Sequence, residues 1–219
     1  PISIPVIDMV EIGAGGGSLA QVDAMRQIRV GPESAGSEPG PACYGRGGAK
    51  PAVTDADLVL GKLDPTSFAG GTMSLNTEAS AKALSDVLGD PLDMDAPTAA
   101  FGLAEVVDEN MANAARVHAV ENGEDLSEYT MIAFGGAAPL HAGRLCEKLG
   151  VARVLVPQGA GVGSAIGFLR APFSFEANRS VYMTLADFQP DKIKTLLTDL
   201  QAEATGFVRN CDATSPILS

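Results

Sequence analysis

The 219-residue chain contains no Trp, and its other aromatics are three Tyr and eight Phe. A core must therefore be built from aliphatic and small side chains. The 46% hydrophobic content supplies enough of them for one or two domains. Cysteine is scarce as well. Cys43, Cys146 and Cys211 are odd in number and far apart, which argues for reduced cytosolic thiols and against a disulfide frame. There is no C-x-x-C, and the only histidines are His118 and His141, so no dedicated His/Cys metal site is expected. No apolar run approaches the roughly 20 residues that span a bilayer. The opening PISIPVIDMV carries no basic residue, which argues against a secretory leader. These absences predict a cytoplasmic protein with no membrane association. Positive charge is also in short supply, with 15 Lys and Arg against 27 Asp and Glu, a net of −12. Such a surface repels nucleic-acid phosphates, although a single nucleotide could still be held by backbone amides. Charged residues make up 19% of the chain, so it is not a disordered acidic tract.

Glycine is abundant, with 25 residues beside 14 Pro. The glycines cluster at 13–17, 31–48, 135–143 and 159–167, between apolar runs. Clusters of this kind mark loops where the backbone turns sharply or approaches a ligand.

Residues 4–12 (IPVIDMVEI) are β-branched, bounded by Pro and Gly, and predict a strand feeding a loop over 13–18. Segments 19–23 and 28–30 are expected to pair as a hairpin around 24–27. Residues 31–52 (GPESAGSEPGPACYGRGGAKPA) are too rich in Gly and Pro for regular structure. A loop this long is either functional or a surface excursion. Thr54 is expected to cap a helix over 55–63, and Thr77 to open another over 78–88 that stops at Gly89. The longest helix is expected over 97–122, where Ala100, Ala104, Val107, Met111, Ala114 and His118 form a stripe. Strands over 129–134 and 151–157 should flank a helix over 140–149, followed by a small-residue helix over 164–169. One or two strands are expected within 173–185, and an amphipathic helix over 190–210. The alternation predicts an α/β fold with at least one parallel strand pair. A domain over 1–172, with a turn-rich and helical insertion at about 64–96, would precede an extension over 173–219.

Two loops share one design: E-I-G-A-G-G-G-S at 11–18 and A-F-G-G-A-A-P at 133–139. Each follows an apolar run and leads into a new element. Backbone without side chains lets amides approach an anion or a flat ring. The alternative is a tight structural turn, since neither loop is a Walker A motif or has G-x-G-x-x-G spacing. The acids near the loops are Asp8, Glu11, Asp23, Asp55 and Asp57, candidates for orienting water or Mg2+ or, alternatively, solvated surface groups. His118 reads as a core histidine. His141 follows the second loop closely enough for its ring to face a ligand there. Cys43 reads as a buried, inert thiol.

The segments GAGGGSLAQVD (13–23), RVGPESAGSEPGPACYGRGG (29–48), AVTDADLVLGKLDP (52–65), FAGGTMSL (68–75) and AFGGAAPLHA (133–142) resemble the hydantoinase A/oxoprolinase family, in order over about 6–172. Ala138 stands where many relatives have Gly. The resemblance implies a fold similar to the actin-like ATPase and sugar-kinase superfamily, with ATP and Mg2+ as cofactors. In that setting Gly135, Gly136 and Ala137 would contact adenosine, with His141 near the same ligand. Gly15, Gly16, Gly17 and Ser18 would lie near the phosphates. Asp8, Glu11 and Asp55 would be the candidate catalytic carboxylates.

Members of the family open hydantoin or 5-oxoproline rings, or carboxylate acetone or acetophenone. The implied chemistry is transfer of the γ-phosphoryl of ATP to a lactam or enol oxygen, which turns a poor leaving group into a good one. A B-type subunit or domain would complete the reaction in an oligomer. Relatives begin with an Asp-x-Gly-Gly-Thr loop that is absent from this sequence, so the chain reads as the later part of a longer subunit, inactive alone. Three functions follow: an ATP-dependent cyclic-amide hydrolase, the ATP-using subunit of a ketone carboxylase, or a non-catalytic module that docks a partner.

Overall fold

The computed structural model describes residues 9–214. Two antiparallel strands open the fold, β1 (Ser18–Val22) and β2 (Ile28–Ser34). Their turn is held by Asp23, whose Oδ1 accepts from the amides of Met25 and Gln27, each at 2.9 Å. The expected hairpin is therefore present. Of the strand expected over 4–12, residues 4–8 lie outside the described residues and 9–12 have no regular structure.

Helix α1 (Val53–Val59) begins two residues earlier than expected. Ala52, not Thr54, holds the N-cap position, and the Asp55 carboxylate accepts the Ala52 amide at 2.8 Å. The helix expected over 78–88 is divided. Asn76 caps α2 (Thr77–Leu84) by accepting the Ala79 amide. A π-turn over Ser85–Gly89 and the single turn α3 (Asp90–Leu92) then follow. Gly89 lies inside this bend, because a Cβ there would sit 2.7 Å from the Met94 carbonyl oxygen.

Asp95 caps the long α4 (Ala96–Asn122) through the Thr98 amide, and Gly123 ends it at φ 70°. The first half of its expected stripe is buried, at Ala100, Ala104 and Val107, whereas Met111, Ala114 and His118 are only half-buried, so His118 is not the core histidine expected. Ala99, Ala100, Leu103 and Val107 are buried against Val53 and Ala56 of α1, Leu84 of α2 and Ala20 of β1. A second, smaller cluster of Cys43, Leu58 and Leu75 lies beneath the Gly/Pro loop.

The parallel pair expected in the second half is β3 (Met131–Ile132) and β4 (Val154–Leu155), joined by α5 (Ala138–Leu149) in a β-α-β unit. Both strands are shorter than the apolar runs that encode them. A ladder extends only where a partner strand lies alongside, and among the described residues these two pair only with each other.

Backbone contacts divide the chain into Pro1–Ser164 and Ala165–Ser219. Helix α6 (Gly163–Arg170) crosses that division. The second unit holds α7 (Pro190–Cys211), as expected, with Phe207 stacked on Phe175 at 4.5 Å between ring centroids. No strand forms within 173–185, where the described backbone is irregular. Among the described residues, no helix is long and apolar enough to cross a membrane.

Candidate functional site

The two glycine loops, more than a hundred residues apart in sequence, meet at one cleft. A Cβ placed on Gly16 would lie 3.7 Å from the Ala137 Cβ, so the loops are close neighbours. The same Cβ would clash with Thr54 Oγ1 at 2.8 Å, which explains why this position is glycine. The cleft encloses about 450 Å3. Gly16, Gly17, Gly136, Ala137 and Leu140 form one wall. Tyr44, Leu63 and Phe68, packed on one hydrophobic cluster, contribute the other, while Ser34 stands beside Gly17 and Thr54 beside Gly16, and Gly36 and Asp57 complete the lining.

Ser18 closes the first loop from within. Its hydroxyl donates to the Gly13 carbonyl at 3.2 Å and accepts from the Gly15 amide at 3.0 Å. That hydroxyl is thus used to shape the loop, and it is Gly16 and Gly17 that line the cleft. In the second loop, the Gly135 amide donates to the Ala160 carbonyl at 2.8 Å, and its φ of 97° favours glycine. Gly136 is exposed, with open space where a Cβ would stand.

The candidate acids separate by environment. Asp8 lies outside the described residues, and Glu11 is exposed and does not line the cleft. Asp55 is fully buried. Its oxygens accept from the amides of Ala42, Cys43 and Ala52 and from the Ser80 hydroxyl, at 2.6–3.1 Å. A carboxylate so fully engaged ties the Gly/Pro loop to α1 and α2 and has no lone pair directed at a substrate. The expectation of a catalytic Asp55 is therefore replaced by a structural one. Burial first, and the neighbouring Asp55 charge second, push the Cys43 thiol up to about 12, so Cys43 is inert as expected.

His141 was expected to face the ligand and is instead fully buried beneath the cleft. Its Nδ1 lies 2.7 Å from Asp108 Oδ1 on α4, and its Nε2 lies 3.2 Å from Asp57 Oδ2 on α1. Burial alone would lower the imidazole pKa, but the two carboxylates outweigh it and hold it at about 9. His141 is thus a buried imidazolium joining three helices. Lys62 Nζ lies 3.0 Å from Asp57 Oδ1, a charge contact without hydrogen-bond geometry, and no hydrogen bond reaches that oxygen among the described residues. Asp108 was not singled out in the sequence, although it sits one turn after Ala104 within the buried stripe. A carboxylate at such a position signals a buried partner.

The hydantoinase/oxoprolinase family model matches residues 1–177. Caprolactamase subunit alpha of Pseudomonas jessenii is 38% identical over 85% of this chain and 27% of its own length. The acetophenone carboxylase gamma subunit of Aromatoleum aromaticum is 39% identical over 76% of this chain and 22% of its own. A nucleotide-free acetone carboxylase structure, described as belonging to ATP-dependent acetone carboxylation, superposes with a TM-score of 0.73 at 30% identity. That superposition covers 90% of this chain and 28% of the other. The chain thus spans less than a third of the length of these relatives. The mixed α/β fold agrees with an actin-like ATPase-type domain. On the match of its sequence and of its fold, the chain belongs to the hydantoinase/oxoprolinase family.

Proposed function

We propose that this chain forms the glycine-walled part of the catalytic cleft in an ATP-dependent hydrolase of cyclic amides. The observation that carries the reading is the convergence of Gly16 and Gly17 with Gly136 and Ala137 on one cleft. Glycine backbone at both loops can approach a polyanion and a flat base closely. In this reading Gly15 to Ser18 shape the phosphate side and Gly135 to Ala137 the adenosine side. His141 acts through Asp57, beneath the ligand. Mg2+ accompanies ATP in chemistry of this type. Asp57 is the only carboxylate that the described cleft lining offers, and its oxygens already face His141 and Lys62, so no step is routed here through a metal held by this chain.

The γ-phosphoryl leaves ADP and bonds to the lactam carbonyl oxygen, and the amide proton is released. Water adds to the ring carbon and the C–N bond opens as the nitrogen takes a proton, leaving an acyl phosphate. A second water attacks its carbonyl carbon, and phosphate departs with the former lactam oxygen to leave the carboxylate. The chain's contribution is to orient the reactants and to stabilise charge with fixed amides. A B-type subunit completes the site, in keeping with relatives that are themselves named as subunits.

The likeness to acetone carboxylase favours a second reading, in which ATP activates a ketone for carboxylation. ADP formation by the full-length subunit with its partner distinguishes the two. Stimulation by cyclic amides supports the hydrolase, and stimulation by ketone plus bicarbonate supports the carboxylase. ATP binding with stimulation by neither would leave the partner-docking reading.

A further inference from the structure

The two walls of the cleft differ in chemistry. One is glycine backbone. The other presents the Tyr44 and Phe68 rings, 5.7 Å apart between centroids and tilted by 49°, beside Leu63. All three pack against the cluster of Cys43, Leu58 and Leu75, so the wall is held in place. At the junction of the walls, Ser34 Oγ accepts the Gly36 amide at 3.2 Å, which leaves the hydroxyl proton to donate elsewhere. A Cβ on Gly17 would lie 2.9 Å from this oxygen, so Ser34 stands directly beside the phosphate-side loop.

We propose that Tyr44, Phe68 and Leu63 form the subsite for the acceptor, an uncharged and largely apolar ring whose carbonyl oxygen points to Ser34 and the Gly16–Gly17 loop. This rests on the reading that the cleft brings ATP and a cyclic amide together. The charge of the wall sets the substrate class. Among the described residues lining the cleft, no side chain is cationic, and Asp57 is an acid. Two cations border the aromatic wall from outside the lining: Lys62 contacts Asp57, and Arg46 lies 5.9 Å over the Tyr44 ring and donates to the Ser37 carbonyl at 3.3 Å. A carboxylate on a ring seated in the cleft would lose hydration near the Asp57 charge, with no cation in the lining to pair it. An unsubstituted lactam carries no such cost and gains contact with the two rings.

The test uses the full-length subunit with its partner and compares ε-caprolactam and 2-pyrrolidinone with 5-oxoproline. Binding is read by ligand-observed NMR without ATP, and turnover by ADP release. The neutral lactams should bind more tightly than 5-oxoproline. Tyr44→Ala and Phe68→Ala should each weaken neutral-lactam binding about tenfold, the scale of losing apolar contact in a specificity pocket, and shift KM for ATP less. Thermal melting checks folding. If Tyr44→Ala fails to fold, Phe68→Ala, on a surface turn, is read alone. Equal or tighter binding of 5-oxoproline, or neutral-lactam binding unchanged in the variants, overturns the subsite. Tyr44-dependent lactam binding without ADP release would uphold the subsite and overturn the proposed hydrolase. Lactam-driven turnover indifferent to Tyr44 and Phe68 would do the reverse.

Discussion

Thr54 donates twice to the carbonyl oxygen of Gly16: its amide and its hydroxyl each lie 2.8 Å from that atom. The second residue of α1 thereby fixes the phosphate-side loop. Thr54→Val keeps the shape and removes only the hydroxyl. It should cost about 1 kcal/mol of stability, the net worth of one hydrogen bond, and raise KM for ATP, while Thr54→Ser restores both. Chemical denaturation and steady-state kinetics check the pair. An unchanged KM in the Val variant would show that the loop does not depend on this clamp.

Asp55 tests structure against catalysis. Replacing it with Ala strands three buried amides and a hydroxyl. The loss should reach about 3 kcal/mol or more, lowering the melting temperature by roughly 6–12 °C for a chain of this size. Calorimetry decides. Normal melting with abolished activity would return Asp55 to the catalytic role first expected of it.

His141 carries a pH signature. Its folded pKa of about 9 stands above the ordinary 6.5, so the protonated form is favoured by folding. The stabilisation is complete below about pH 6.5 and is lost as pH rises through about 9, an effect of roughly 3 kcal/mol. Asp108 from α4 and Asp57 from α1, the latter with Lys62 beside it, are the charged groups that face the imidazole network. Denaturation from pH 6 to 10 should show this loss in the wild type and not in His141→Gln. Parallel profiles would contradict a buried imidazolium.

Gly136 tests the adenosine side. Its position is exposed and has room for a Cβ, so Gly136→Ala should leave stability intact. Gly136→Leu should project into the cleft and weaken ATP binding about tenfold. Calorimetric titration with ATP measures this. Equal affinity in the Leu variant would remove the loop from the nucleotide site.

The sequence made the loops, the hairpin, the long helix and the parallel pair legible, because each rests on local signals: glycine clusters, an apolar stripe, β-branched runs. The site's supports were less visible. Thr54 looked like a cap because a hydroxyl before acids is the usual cap pattern, yet its partner is Gly16, brought close only by the fold. Asp55 looked catalytic because it is an acid near a glycine loop, and nothing local shows that Ala42, Cys43 and Ser80 surround it. His141 does follow the second glycine loop, at the start of α5, but its ring turns away from a ligand there, since its partners Asp57 and Asp108 come from two other helices. The strands expected at 173–185 did not form. A strand needs a neighbour to pair with, and local sequence does not show one.

The most direct test follows one oxygen atom. A lactam labelled with 18O in its carbonyl is incubated with ATP and the full-length subunit assembled with its partner, and the inorganic phosphate is analysed by mass spectrometry. If the carbonyl oxygen accepts the phosphoryl group in this cleft, one labelled oxygen appears in phosphate for each ring opened, and Gly136→Leu suppresses it. Unlabelled phosphate accompanying normal ring opening would contradict the account.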